Sequence, residues 1–374
     1  MISVVPVTTR RQKKAFLDLP LAMYRDNPCF VPPIYAEEKK IFSPDYAYYD
    51  DCEAVYYLAM RGPTVVGRIS GILHRTSNAL RDEKRVRFTR FDAIDDPAVA
   101  QALFARVEDW AREKGMDTVC GPLGFSDLER EGLLVEGFDQ LSTFSEQYNA
   151  AYYARLIEQC GYQKEVDWIE SRIYAPDEAS YRKLQRIADK SMKKLGLTFC
   201  RFKNAKEAVD RYADKAFDIL DECYAGLYGT VPLTPAVRRM TRKNFETILD
   251  PDLIGIIVDE HDEIVCFGLC FPFIGEALQK SGGHLTPPAL LRLRKVMKSP
   301  RILELGLIAV SPRYQNMAGN AIAIAELARV LKESEIEYAE TNLNLETNSD
   351  IRHMWKRFSA VEHKRRRSYV KILS

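Results

Sequence analysis

A chain of 374 residues is long for a single hydrophobic core, so two domains are expected. An apolar fraction of 46% and a charged fraction of 29% are ordinary for a globular protein, and a net charge of +1 with a pI near 7.5 argues against a dedicated nucleic-acid binder. The longest apolar run, residues 264–274, is too short to cross a bilayer, and the opening Met1-Ile2-Ser3-Val4-Val5-Pro6 lacks the features of a signal peptide, so a cytoplasmic location is expected.

In chain order, a short strand over 2–7 precedes a helix over 13–21, and three prolines between 27 and 33 forbid a regular element there. Strands over 54–61 and 65–73 flank Gly62-Pro63, a hairpin signal, and another strand covers 86–93. Residues 98–114 form an amphipathic helix with Leu103, Phe104, Val107 and Trp110 on one face. A strand at 118–121, a helix over 148–160 and a strand over 168–174 complete the first half. The second half repeats that order: strand 197–202, helices 205–224 and 235–249, hairpin strands 253–259 and 264–273, strand 301–310, helix 316–332, strand 338–345, helix 349–358 and strand 366–373. A charged, solvated helix over 175–195 would join the halves, giving domains 1–178 and 179–374.

Eight cysteines show no C-x-x-C pair and read as reduced thiols, and five scattered histidines give no metal-ligand spacing, so no metal is expected. The sequence most suggestive of chemistry is the strand ending Ile308-Ala309-Val310, followed by Ser311-Pro312-Arg313-Tyr314-Gln315-Asn316-Met317-Ala318-Gly319-Asn320-Ala321. A strand, a polar turn and the start of an Ala-rich helix present backbone N–H groups to an anion above the turn.

That stretch resembles the pyrophosphate loop, Q/R-x-x-G-x-G/A, of the GNAT superfamily of acyl-CoA-dependent acyltransferases, and Asn348 before the next helix resembles that family's Asn-led fourth helix. The whole chain resembles the YghO-like group of tandem GNAT-like bacterial proteins through Tyr24-Arg25-Asp26-Asn27-Pro28, Val66-Gly67-Arg68-Ile69, Tyr152-Tyr153 and Val231-Pro232-Leu233-Thr234. Members of that group are similar to bacterial ceramide synthases. The resemblance implies an α/β (mixed α+β) fold of two tandem GNAT-like domains, each a mostly antiparallel mixed sheet flanked by helices. It also implies acetyl-CoA or a longer acyl-CoA as co-substrate and a small-molecule or lipid amine as acceptor. The backbone of Ile308 and Val310, together with Gln315, Asn316, Ala318, Gly319, Asn320, Ala321 and Asn348, would hold the co-substrate.

Two departures matter. Aligning Gln315 with the loop's leading position places Ala318 where the first glycine belongs, whereas aligning Asn316 restores Gly319 and Ala321. Trp355 stands where many relatives place a tyrosine general acid. In the first half the equivalent turn, Ile94-Asp95-Asp96-Pro97, carries two carboxylates that would repel a pyrophosphate, so this domain is expected not to bind CoA.

Glu304, inside an apolar strand and expected on the face of Gly306 and Ile308, is a candidate proton acceptor for an ammonium substrate, against a plain salt-bridged role. Tyr314, next to the loop, is a candidate for the missing proton donor; Tyr224, Tyr228, Phe271 and Phe273 would line a pocket or the core. His284 is a loop histidine with base chemistry, and Lys364-Arg365-Arg366-Arg367 reads as a solvated basic turn. These features favour an acyl-CoA-dependent N-acyltransferase. The alternatives are a non-catalytic acyl-CoA or partner-binding module, and a Fem-type aminoacyl transferase.

Overall fold

The computed structural model describes residues 1–315 and 319–373. The strands are β1 (Ile2–Pro6), β2 (Cys52–Arg61), β3 (Thr64–His74), β4 (Arg85–Ala93), β5 (Thr118–Gly121), β6 (Leu133–Glu136), β7 (Gln163–Tyr174), β8 (Thr198–Cys200), β9 (Ile254–Val258), β10 (Ile264–Pro272), β11 (Ile302–Val310), β12 (Tyr338–Glu340), β13 (Asn344–Leu345) and β14 (Ser359–Ile372). The chain divides into two compact units. Unit 1 comprises Met1–Ile169, Ile274–Arg292 and the chain from Lys364; unit 2 comprises Glu170–Phe273 and Leu293–His363.

The duplication of topology expected from the sequence is present. In unit 1 the strand order is β1-β2-β3-β4-β5, antiparallel until the parallel pair β4/β5. In unit 2 the order is β8-β9-β10-β11-β12, antiparallel until the parallel pair β11/β12. The outer neighbours of the two parallel pairs come from distant sequence. Residues 369–372 of β14 run antiparallel to β5, and residues 172–173 of β7 run antiparallel to β12.

Each sheet is covered by helices whose apolar residues recur at helical spacing. In unit 1 the helix Pro97–Glu113 buries Val99, Leu103, Phe104, Val107, Trp110 and Ala111, and starts with Asp96 accepting the Ala98 N–H at 2.9 Å. In unit 2 the helix Gly319–Glu333 buries Ile322, Ala325, Ala328 and Leu331 in a core shared with Leu303, Val310 and Ala339. The helix Glu178–Leu195, expected to be a solvated joiner, instead buries Leu184 and Ala188 within unit 2, and its Gln185 donates to the Ala325 carbonyl at 2.7 Å. Its apolar stripe is narrow and lies among many charges, which hid it. No helix among the described residues is long and apolar enough to cross a membrane.

Candidate active site

The candidate site is built around β11. On one side this strand pairs with β10 over its whole length, with a register shift between Gly268↔Ile308 and Cys270↔Leu305. One residue of β10, Leu269, opposes two of β11, so the extra residue sits at Gly306-Leu307. Leu303, Leu305 and Val310 all face the same core, which strict alternation forbids because 305 and 310 differ by an odd number. The bulge therefore breaks the alternation that would have put Glu304 on the face of Ile308. Glycine is needed there: a Cβ on Gly306 would lie 2.3 Å from Phe271 Cε2 and 3.0 Å from the Leu269 carbonyl oxygen.

On its other side β11 pairs with β12 only at Ile302↔Tyr338, Leu303↔Ala339 and Glu304↔Glu340, then runs on to Val310. The Ser311 N–H bonds the Val265 carbonyl on the β10 side, so the backbone groups of Ile308 and Val310 turn toward the edge where β12 has ended. Their carbonyls are held there by side chains of unit 2. Tyr224 donates to Ile308 O at 2.9 Å, Gln315 to Val310 O at 3.1 Å, and Cys223 Sγ–H to Val310 O at 3.3 Å. Asn342 Nδ2 donates to Gly306 O at 3.2 Å. Gln315 thus acts on the end of the strand, and the amides of Ile308 and Val310 lie along an edge that β12 does not cover.

The turn after β11 holds Tyr314, whose hydroxyl donates to Asp259 Oδ2 at 3.0 Å. Partial burial and this bond push the phenol pKa up, which weakens it as an acid. Glu304 and Val310, near opposite ends of β11, are roughly 20 Å apart at about 3.3 Å per residue, and Tyr314 follows in the turn beyond Val310. Gly319 opens the next helix so close to β11 that a Cβ would meet Val310 Cγ1 at 2.5 Å, and Asn320 and Ala321 follow half-buried on the first turn. Asn316 and Ala318 lie outside the described residues. Asn348 caps the helix Ser349–Trp355, accepting the Ile351 N–H at 3.3 Å, and Trp355 Nε1 donates to Asn344 Oδ1 at 2.6 Å.

At the closed end of the β11 edge, cross-strand partners line up on one face of the sheet: Phe271, Glu304, Glu340 and Arg172. The partners one residue earlier or later, Leu303, Ala339 and Ile173, form the opposite, apolar face. Glu304 and Glu340 are both buried, with 1% and 3% of their surface exposed. Arg172 Nε donates to Glu340 Oε1 at 2.9 Å, and His363 Nε2 lies 2.6 Å from Glu340 Oε2. Sequence reasoning found Glu304 but not Glu340, Arg172 or His363. A second carboxylate in a short apolar strand, Tyr338-Ala339-Glu340, was the available signal.

No family model matches the chain. It is 27% identical over 365 residues to protein YghO of Escherichia coli (strain K12), covering 96% of this chain and 92% of that protein. It is 26% identical over 385 residues to a bacterial ceramide synthase of Caulobacter vibrioides, covering 100% and 98%. Among solved structures, the tandem GNAT protein from the clavulanic acid biosynthesis pathway superposes with a TM-score of 0.57 at 13% identity, covering 100% of this chain and 98% of that one. The fold is that of a tandem GNAT protein. A GCN5-related N-acetyltransferase from Sphaerobacter thermophilus also matches, with a TM-score of 0.52 at 14% identity and coverage of 99% and 95%.

Two further sequence candidates of this tandem GNAT chain, His284 and the basic run at 364–367, lie in unit 1. The exposed His284 stacks on Tyr35, with ring centroids 4.4 Å apart. The run Lys364-Arg365-Arg366-Arg367 is not a solvated turn but part of β14. Lys364 and Arg366 are buried, and Arg367 Nε donates to Asp167 at 2.8 Å. The carboxylates of the first-half turn are also engaged, Asp96 with Arg61 and Asp95 with Arg155. Asp51, Cys52 and His74 bring an oxygen, a sulfur and a nitrogen within 4.8 Å of one another. That carboxylate already accepts from Thr76 Oγ1 at 2.7 Å and lies 2.8 Å from His74 Nδ1.

Proposed function

We propose that the chain is an acyl-CoA-dependent N-acyltransferase whose site lies in unit 2, along the β11 edge that β12 leaves uncovered. That edge is the observation that carries the reading. An extended thioester substrate can lie beside it and bond the Ile308 and Val310 amides, while its pyrophosphate meets the N-terminus of the helix Gly319–Glu333. A carbonyl held by fixed amides is polarised without reorganisation, and two reactants held side by side lose the entropy cost of meeting. Glu304, buried at the closed end, supplies a carboxylate to hold the ammonium of an acceptor. A long-chain amine is the acceptor class that the similarity to a bacterial ceramide synthase supports. Unit 1 is read as non-binding, because Asp96 already occupies the corresponding helix start.

The competing reading is a binding module without turnover, favoured by Trp355, whose indole N–H is committed to Asn344. Thermal unfolding with acetyl-, octanoyl- and palmitoyl-CoA tests the shared claim: at least one should raise the melting temperature. The absence of any shift removes acyl-CoA binding. Release of free thiol with a panel of amines then separates enzyme from module, and Glu304→Gln should raise the KM for the amine.

A further inference from the structure

Nδ1 of His363 and Oδ1 of Asn342 are among the buried side-chain atoms of unit 2 without a hydrogen-bond partner. Leaving a buried acceptor unpaired costs about 1–3 kcal/mol, so a group that satisfies both has a reason to bind. The two residues share a neighbourhood. His363 touches Glu340, the strand neighbour of Glu304, and Asn342 holds the Gly306 carbonyl where β11 and β12 part. With the neutral ring donating to Glu340, the unmet need is for N–H donors, beside the strand neighbour of the carboxylate proposed to hold the acceptor ammonium.

The tautomer of His363 follows from its partner. A carboxylate only accepts, so at 2.6 Å the imidazole donates Nε2–H to Glu340 Oε2, and in the neutral ring the lone pair then lies on Nδ1. Glu340 is itself held by Arg172, and the His363 side chain is only 7% exposed, so the ring is fixed. A carboxylate orienting an imidazole whose far nitrogen is free is the arrangement of a general base.

The geometry points to His363 as the proton acceptor of the N-acyltransferase, with Glu340 as its positioning residue and Asn342 Oδ1 receiving a second N–H of the amine. This rests on the functional reading above and assigns Glu304 the counter-ion role. The ammonium gives one proton to His363 Nδ1. The freed amine nitrogen forms the N–C bond to the thioester carbon, and the C–S bond breaks with its electron pair on sulfur. The proton then shed by the amide nitrogen neutralises the thiolate, and the proton on His363 returns to solvent.

The test uses the full chain with octanoyl-CoA as donor and octylamine or sphinganine as acceptor. His363→Gln should keep the octanoyl-CoA thermal shift, lose about 10²–10⁴-fold in kcat, and lose the acidic limb of its kcat/KM profile against pH. Imidazole added to His363→Ala should restore part of the rate, which a merely structural role would not allow. Glu340→Gln should lower kcat while leaving the KM for octanoyl-CoA unchanged, because the ring loses the partner that orients it. Nitrogen NMR of histidine-labelled protein, with His363 assigned from the Gln variant, gives a readout independent of the acceptor: Nε2 protonated and Nδ1 bare near pH 8. A bare Nε2, or an unchanged pH limb in His363→Gln, overturns the assignment while leaving acyl-CoA binding intact. If octanoyl-CoA gives neither thermal shift nor turnover, the N-acyltransferase reading falls and takes this one with it.

Discussion

Tyr314 donates its hydroxyl to Asp259 Oδ2 at 3.0 Å, fastening the turn after β11 to the turn between β9 and β10. Asp259 also accepts the N–H groups of His261 and Glu263 at 2.9 and 3.1 Å. Burial works to raise its pKa, but these three donors outweigh it and hold the carboxyl below its usual range. Tyr314→Phe removes one of the three, at a cost of about 1–2 kcal/mol. Because the Asp259 pKa is depressed in the folded state, its contribution is present above the unfolded value and is lost as pH falls through the folded one. The variant should therefore unfold at a lower temperature than the parent at pH 7, and the gap should close on acidification. A loss of turnover at saturating substrate with no change in stability would instead restore Tyr314 as a proton donor.

Gly306→Ala tests the bulge. The added methyl would overlap Phe271 Cε2 at 2.3 Å, so the ring must move or the strand must straighten. A stability loss of about 1–3 kcal/mol is expected from overpacking. Shortening the opposing ring should relieve part of it. A double-mutant cycle with Phe271→Leu should show favourable coupling, read from denaturant midpoints, whereas additive effects would mean that the two residues do not meet.

Tyr224→Phe probes the strand edge directly. The hydroxyl that holds the Ile308 carbonyl is removed, worth about 1 kcal/mol. Because the amide of the same residue is the proposed donor to the thioester substrate, octanoyl-CoA affinity should fall about three- to tenfold by calorimetry. Unchanged affinity would separate Ile308 from the acyl-CoA site.

The repeated strand order, the hairpins and the strand-to-helix turn around Val310 were legible because each leaves a local signal: alternation, a turn dipeptide, a cap residue. Glu304 was legible as a charge among leucines. Its partners were not, because Glu304, Glu340 and Arg172 meet only through strand pairing, which no local pattern encodes. The bulge at Gly306 was hidden for the same reason, since it exists only relative to β10. The origin of the strands beside β5 and β12 was also out of reach. Segments 172–173 and 369–372 look like ordinary strands, and which edge each one joins depends on pairing between residues far apart in sequence.

His74 in unit 1 gives a pH prediction that does not depend on any ligand. Burial, reinforced by the Arg87 guanidinium and opposed by Asp51, pulls its pKa down to about 4 from an ordinary 6.5. The unfolded chain therefore binds a proton near pH 6.5 that the folded protein refuses until about pH 4. The neutral imidazole contributes fully above pH 6.5, and that contribution drains away as pH falls toward 4, by an amount on the order of a few kcal/mol. His74→Gln removes the titration. Between pH 7 and pH 4.5 the parent's melting temperature should fall more steeply than the variant's. Parallel curves would show that His74 is already protonated in the folded protein and paired as an ion with Asp51, 2.8 Å away.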